Sequence, residues 1–448
     1  MSLTRPDLTA PAERAYKHYM PVASTSAETA RVLRTGEADS QQHALSPDAK
    51  ALNAFQSMRA AIDELATIRA CASIAPDVSR YASIEHAVEA LQPAEPVFCL
   101  HPQHLMHAAG LFASFPGRVL YAVKCNPHPL VLQTLYSAGI TNFDVASIGE
   151  IEQIHDLFGA RSEMFFNNPI KARSAIRIAA ADHGVKFYAI DHESELDKVL
   201  AEAQTDNLMI AVRLATGVSD ARYALTTKFG AKPDAAVALL QRIQATGLRA
   251  GITFHVGSQC LAPQSFSAAL SLCEDVLRDA GVPLAVLNVG GGFPAAYPGD
   301  DVAPLERYFE AIETGLRRLP LPRDCQLFCE PGRSLVATGG SIIAQVLVRK
   351  DDIIYINDGI FGSLQELRHP KERRPARIIG RDSAADTTDF KVYGPTCDSD
   401  DVLGAPLTLP TDIAEGDRIE ISMMGAYSLA TRTAFNGFSA NKIITIEP

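Results

Sequence analysis

Between residues 119 and 333, short apolar runs return roughly every twenty to forty residues with helical patterns between them, and this rhythm admits very few folds. The runs are 119–123, 142–145, 164–166, 186–190, 208–214, 251–256, 285–289 and 325–329. Strands that alternate with helices pair in parallel, because each helix carries the chain back to the start of the next strand. Eight such units predict an α/β fold in which the strands close on themselves as a (β/α)8 barrel. An open doubly wound sheet is the alternative. Beyond Arg333 the helical rhythm fades. Runs at 342–348, 352–356, 376–379, 391–392, 418–421 and 442–446 stand between Gly, Pro and Asp turns, which predicts a mostly β domain.

These patterns divide the chain into four parts. Residues 1–43 are Ala-, Thr-, Ser- and Gln-rich and read as a flexible arm. Residues 44–94 form a helical extension, in which Ser46 caps a helix with Pro47 at its first position. There Leu52, Phe55, Met58, Ile62, Leu65 and Ile68 fall at three- and four-residue steps, a stripe suited to packing on the main body or on another subunit. The barrel takes 95–333 and the β domain 334–448, with 97–100 a candidate further strand of the latter.

Composition narrows the class of partner. With 47% hydrophobic and 21% charged residues the chain has ample core, and a net charge of −11 argues against nucleic acid or an anionic membrane. No stretch approaches the ~20 apolar residues of a membrane span. The first twenty residues carry charges and prolines where a signal peptide needs an apolar block. Eight cysteines lack metal-ligand spacing and suggest no disulfide framework, so a reducing cytoplasm and no metal are expected.

The unusual polar residues stand just after the apolar runs. Lys124 follows the first, Asp144 and Ser147 the second, Asn167 and Asn168 the third. His255 and Ser258, then Gly290, Gly291 and Gly292, then Glu330 and Arg333 follow later ones. A barrel builds its active site at the C-terminal ends of its strands, so this one-sided clustering predicts a site. An amine at such a rim is expected to have a lowered pKa and to condense with an aldehyde, although a solvated strand-end lysine also fits the local run. Three glycines let backbone N–H groups approach an anion, though they equally suit a tight turn. Arg333 could complete a phosphate site. A lysine and a phosphate cradle on one rim suggest pyridoxal phosphate, with Glu330 for the pyridine nitrogen and His255 as a flat group to stack on the ring. A core histidine is the competing reading of His255.

The segments Tyr121-Ala122-Val123-Lys124-Cys125-Asn126, Phe143-Asp144-Val145-Ala146-Ser147 and His255-Val256-Gly257-Ser258 appear in order along the chain. Gly290-Gly291-Gly292-Phe293-Pro294, Glu330-Pro331-Gly332-Arg333 and Asn357-Asp358-Gly359 follow them. Gly394-Pro395-Thr396-Cys397-Asp398, Gly425-Ala426-Tyr427 and Phe435-Asn436-Gly437-Phe438 complete the series. Taken together the chain resembles the fold-type III pyridoxal-phosphate decarboxylases, and within them the ornithine decarboxylase branch. The resemblance implies an alanine-racemase-like barrel, a C-terminal β domain, and a homodimer with active sites at its interface. It implies Lys124 as the lysine that carries the cofactor, oriented by Asp144 and Glu150, with Glu330 at the pyridine nitrogen and His255 on the ring. Ser258, Gly291, Gly292, Arg333 and Tyr427 would hold the phosphate. Cys397, entering from the other subunit, would deliver the proton to the substrate Cα, and Asp358 with Asp398 would bind the distal ammonium.

The residues before 75 have no counterpart in that resemblance, and Asp400-Asp401 replaces the more usual apolar residue and acid. Gln259 after Ser258 is also seen on the diaminopimelate side of the superfamily. The expected activity is decarboxylation of a basic L-amino acid, ornithine to putrescine first, in polyamine biosynthesis. Lysine or dual lysine/ornithine decarboxylation is the near alternative, and a non-catalytic regulatory homologue the distant one.

Overall fold

The computed structural model describes residues 78–203, 206–217, 220–225, 228–438 and 440–447. The arm and the helix expected behind Ser46-Pro47 lie outside the described residues.

Eight strands form a closed parallel barrel. They are β1 (Arg118–Ala122), β2 (Asn142–Val145), β3 (Glu163–Phe166) and β4 (Phe187–Ile190). After them come β5 (Met209–Leu214), β6 (Arg249–Phe254), β7 (Val286–Asn288) and β8 (Gln326–Cys329). Each pairs with the next, and β8 closes on β1 with Phe328 opposite Arg118. The two-residue alternation of each strand sorts its side chains. Leu120, Phe165, Phe187, Ala211, Val286 and Phe328 fill the barrel interior, while Tyr121, Phe143, Phe166 and Tyr188 pack outward in the larger core.

The helices between the strands carry the local signals that start and stop them. Pro129 and Pro233 stand at first helical positions, where a missing N–H costs nothing. Ser147-Ile148-Gly149-Glu150 opens the helix Ile148–Phe158 as a capping box. Ser147 Oγ accepts from Glu150 N, and Glu150 Oε2 reaches back to Ala146 N at 2.6 Å. The long helix Gln264–Ala280 ends on Gly281 in the left-handed region (φ 63°).

The second sheet has nine strands and draws on both sides of the barrel sequence. Val97–Leu100 lies between Gly340–Lys350, to which it runs antiparallel, and Lys442–Ile446, to which it runs parallel. Ala376–Ile379, Thr387–Tyr393, Arg418–Ile421 and Ile353–Ile356 are strands as the turn pattern implied. Leu407–Pro410 is a further strand that the sequence reading passed over, because its four residues end in a proline. Among the described residues no helix is long and apolar enough to cross a membrane.

The two sheets meet where the site lies. Asn126 Nδ2 donates to Gly425 O at 2.8 Å and Tyr427 N donates to Cys125 O at 2.8 Å. The turn after β1 is thereby clamped to a loop of the β domain almost 300 residues later in the chain.

Candidate active site

The strand ends place most of the expected residues around one mouth. Lys124 stands in the short 3-10 turn Val123–Cys125 that follows β1, and its Nζ donates to Asp144 Oδ2 at 2.9 Å. Asp144 is on β2 directly opposite Ala122. The Lys124 side chain is 46% exposed and that of Asp144 only 3%, so the amine opens to the mouth while its counter-ion is sealed beneath it. Burial opposes the ammonium, but Asp144, Tyr427 and Glu330 outweigh it and hold the Lys124 pKa above its ordinary value. The lowered pKa expected from the strand-end position is therefore corrected for the cofactor-free protein: three neighbouring acids win over desolvation.

Glu330, at the end of β8, is buried beneath that mouth. Asn167 Nδ2 donates to its Oε1 at 2.7 Å, and Asn288 Nδ2 donates to the same oxygen. Burial and then Asp144 push its pKa up to about 8, against the pull of Lys124 and Arg213. Both amide bonds go to Oε1, which leaves Oε2 for a donor within the site. His255 follows β6, and its Nδ1 accepts from Gly257 N at 2.9 Å. That bond fixes the tautomer, since a backbone N–H can only donate. Burial, then Arg213 and Lys124, drive the His255 pKa well below its ordinary value, so the ring is neutral.

The three glycines are required by packing. A Cβ on Gly290 would lie 1.9 Å from Phe254 O, on Gly291 2.6 Å from Glu330 O, and on Gly292 2.5 Å from Gly257 O. Gly290 and Gly292 also have positive φ (68° and 108°). The triplet thus brings the ends of β6, β7 and β8 together, and Gly291 faces the Nε2 side of His255.

Arg333 is more encumbered than expected. Its Nη1 donates to Glu366 Oε2 at 2.8 Å, and its Nη2 donates to the other oxygen of the same carboxylate. Only Nε turns to Ser258 Oγ, at 3.4 Å. Glu366 also takes Arg374, Arg374 takes Glu372, Glu372 takes Arg222, and Arg222 ends on Asp300. The guanidinium of Arg374 lies 3.7 Å from the centre of the Tyr297 ring, and that of Arg333 lies 5.1 Å from Tyr427. Three guanidiniums and three carboxylates alternate and cancel, which is the condition for burying them. Sequence reasoning missed this chain: Glu366, Glu372 and Arg374 lie in an irregular segment with no period to mark them.

Three other expectations are changed or refined. Glu150 does not touch Lys124; its carboxylate is used by the capping box at Ala146 N, and burial raises its pKa. The structure gives Asp358 a different setting from a substrate clamp. It is 1% exposed, its Oδ1 accepts from Gly359 N at 2.8 Å and Ser363 N at 3.0 Å, and its Oδ2 is buried without a hydrogen-bond partner among the described residues. Burial pushes its pKa up to about 6. Asp398 is exposed, with Oδ1 on Asp400 N at 2.8 Å, and so keeps an oxygen for a ligand. Cys397 is exposed beside it, with Asn436 as its neighbour.

Comparison with known proteins gives this geometry a family. Residues 103–337 match the pyridoxal-binding domain of the pyridoxal-dependent decarboxylases. The chain belongs to that family. It is 34% identical to the lysine/ornithine decarboxylase of Selenomonas ruminantium over 73% of this chain and 83% of the relative. It is 32% identical to antizyme inhibitor 2 of Xenopus laevis over 72% of this chain and 74% of that protein. Among solved structures, the lysine/ornithine decarboxylase of Vibrio vulnificus complexed with putrescine aligns with a TM-score of 0.70 and 30% identity, covering 82% of this chain and 99% of that one. Pyridoxal phosphate is the cofactor, and the residues present suit it. An amine stands ready at Lys124, a buried carboxylate at Glu330 takes both amide bonds on Oε1, and the floor at Gly291 has no room for a Cβ. Among the described residues no group of three His, Cys, Asp or Glu could hold a metal ion.

Proposed function

We propose that this chain decarboxylates a basic L-amino acid, ornithine to putrescine first, at the mouth formed by β1, β2, β6, β7 and β8. The observation that carries the reading is the Lys124–Asp144 pair set at the same mouth as the buried Glu330. Pyridoxal phosphate, when bound, supplies an electron sink for the pair left on Cα as CO2 departs. The chain's own residues do the rest. Lys124 carries the cofactor, Glu330 supports a protonated pyridine nitrogen, and neutral His255 presents a flat face without adding charge. Arg333 Nε, Ser258, Tyr427 and the backbone of Gly291 and Gly292 receive the phosphate. Asp398 takes the distal ammonium, and Cys397 gives the proton to Cα.

Cys397 is exposed on the β domain, which supports a homodimer in which each β domain completes the partner's site. The scattered spacing of the eight cysteines supports a reducing, cytoplasmic setting. The dual lysine/ornithine activity named for the Selenomonas and Vibrio relatives favours a second reading, in which lysine is also a substrate. One methylene separates the two and is worth only ~1–3 kcal/mol of discrimination.

The test is competition. Ornithine, lysine, arginine and diaminopimelate are offered together to protein loaded with pyridoxal phosphate, and CO2 and amines are measured. Putrescine should dominate, with cadaverine second. No amine from any of the four would refute the reading.

A further inference from the structure

The expected proton donor is held by a residue that the sequence reading left without a role. Cys397 and Asn436 lie 39 residues apart in the β domain, and both the backbone N and the Sγ of Cys397 are 3.3 Å from Asn436 Oδ1. The two contacts decide each other's polarity. A backbone N–H can only donate, so the amide atom facing it must be the carbonyl oxygen. That oxygen can only accept, so the thiol must donate its S–H to it. The contact exists only while Cys397 is a thiol, since a thiolate would face a partial negative charge.

Asn436 is built to stay where it is. It has φ 52° and ψ 13°, the left-handed region that asparagine tolerates better than other side-chain-bearing residues except aspartate, and Gly437 follows at φ 81°. On one side, the Phe435 ring lies against Phe361 at 5.0 Å between centres. On the other, Thr396, just before Cys397, is pinned by Asp401, whose Oδ2 accepts from Thr396 N at 3.0 Å and from its hydroxyl at 2.7 Å. The loop bearing the thiol is thus fixed on both flanks.

We propose that Asn436 is a positioning residue that holds the Cys397 thiol by its S–H and aims it, so that the electron pair left at Cα takes its hydrogen from sulfur. This rests on the decarboxylase reading above. The balance is simple: the S–H bond breaks, a Cα–H bond forms, and the thiolate recovers a proton from water before the next turnover. Because both residues belong to one β domain, Asn436 serves whichever site its own Cys397 serves.

The test uses the full-length protein loaded with pyridoxal phosphate and two variants. Asn436→Gly removes the acceptor in a backbone conformation that glycine adopts freely, and Asn436→Asp keeps the shape while adding a negative charge. Alkylation of Cys397 by iodoacetamide at fixed pH, read by peptide mass spectrometry, should be severalfold faster in N436G and severalfold slower in N436D than in the parent. With the preferred amino acid, the diamine formed per CO2 released should be close to one for the parent and clearly lower for N436G, as for Cys397→Ala. Rescue of that ratio in N436D would mark an effect on the proton rather than on the fold. Equal alkylation rates in the three proteins, or an unchanged ratio in folded N436G, would overturn the proposal. A parent that releases no CO2 would instead defeat the decarboxylase reading, and the alkylation rates would still decide whether the contact holds the thiol.

Discussion

Two aspartates in similar-looking motifs have opposite surroundings, and the difference is a residue-scale prediction. Asp358 is sealed under backbone donors of the 359–363 turn, whereas Asp398 is exposed beside Cys397. Asp398→Ala should raise KM for the basic substrate more than tenfold, since a charge-assisted hydrogen bond is worth roughly 1.5–3 kcal/mol. Asp358→Asn should leave KM within about twofold, because its Oδ1 serves the turn and the side chain is sealed from the mouth. Steady-state kinetics on both variants checks the pair. Glu330 carries a pH prediction. Its pKa rises from 4.5 unfolded to about 8 folded, so between those values the unfolded state holds fewer protons. Stability of the cofactor-free protein should therefore fall as pH rises from 4.5 to 8, by a total of a few kcal/mol. Glu330→Gln should flatten that fall, as urea unfolding at several pH values would reveal.

At the scale of elements, the strand ends are held at distances that admit no extra atom. Gly291→Ala would put a methyl 2.6 Å from Glu330 O, which is backbone and cannot swing away. The strand ends must part, at a cost of about 1–3 kcal/mol. Pyridoxal phosphate should then dissociate at least tenfold faster, as followed by loss of its visible absorbance. The buried chain from Asp300 to Arg333 ties the barrel to the segment 366–374. Glu366→Ala leaves Arg333 and Arg374 buried without the carboxylate they share, and should cost about 3–5 kcal/mol in unfolding free energy. Replacement of a surface partner such as Asp275, 59% exposed beside Arg278, should cost less than about 0.5 kcal/mol.

For the whole molecule, the question is which chain completes which site. Lys124 follows the first barrel strand and Cys397 stands in the β domain, with both open to solvent. If each β domain serves its partner, Lys124→Ala and Cys397→Ala proteins, each poor in forming diamine, should regain diamine formation when their subunits exchange. Random mixing gives heterodimers in which one of two sites is intact, and activity near about a quarter of the parent. No recovery after subunit exchange, confirmed by native mass spectrometry of tagged chains, would mean that each chain completes its own site.

The barrel was legible before any coordinate because its signal is periodic. Eight apolar runs separated by helical spacing predict a parallel sheet buried on both faces, which the structure closes into a barrel rather than leaving open, and the polar residues that end those runs fall at one edge in either case. Position alone made Lys124, Glu330 and the glycines candidates, with a solvated lysine and a tight turn left open beside them. What tertiary structure decided is everything set by neighbours distant in sequence. Asp358 and Asp398 are alike as letters, and only packing buries one and exposes the other. The raised pKa of Lys124 comes from acids brought beside it by β2, β8 and the β domain, against the sign that burial alone predicts. The carboxylate of Glu366, the amide of Asn436 and the clamp from Asn126 to Gly425 join segments tens to hundreds of residues apart. Such contacts leave no period in the chain, because a hydrogen bond needs only two atoms to meet and is indifferent to the path between them.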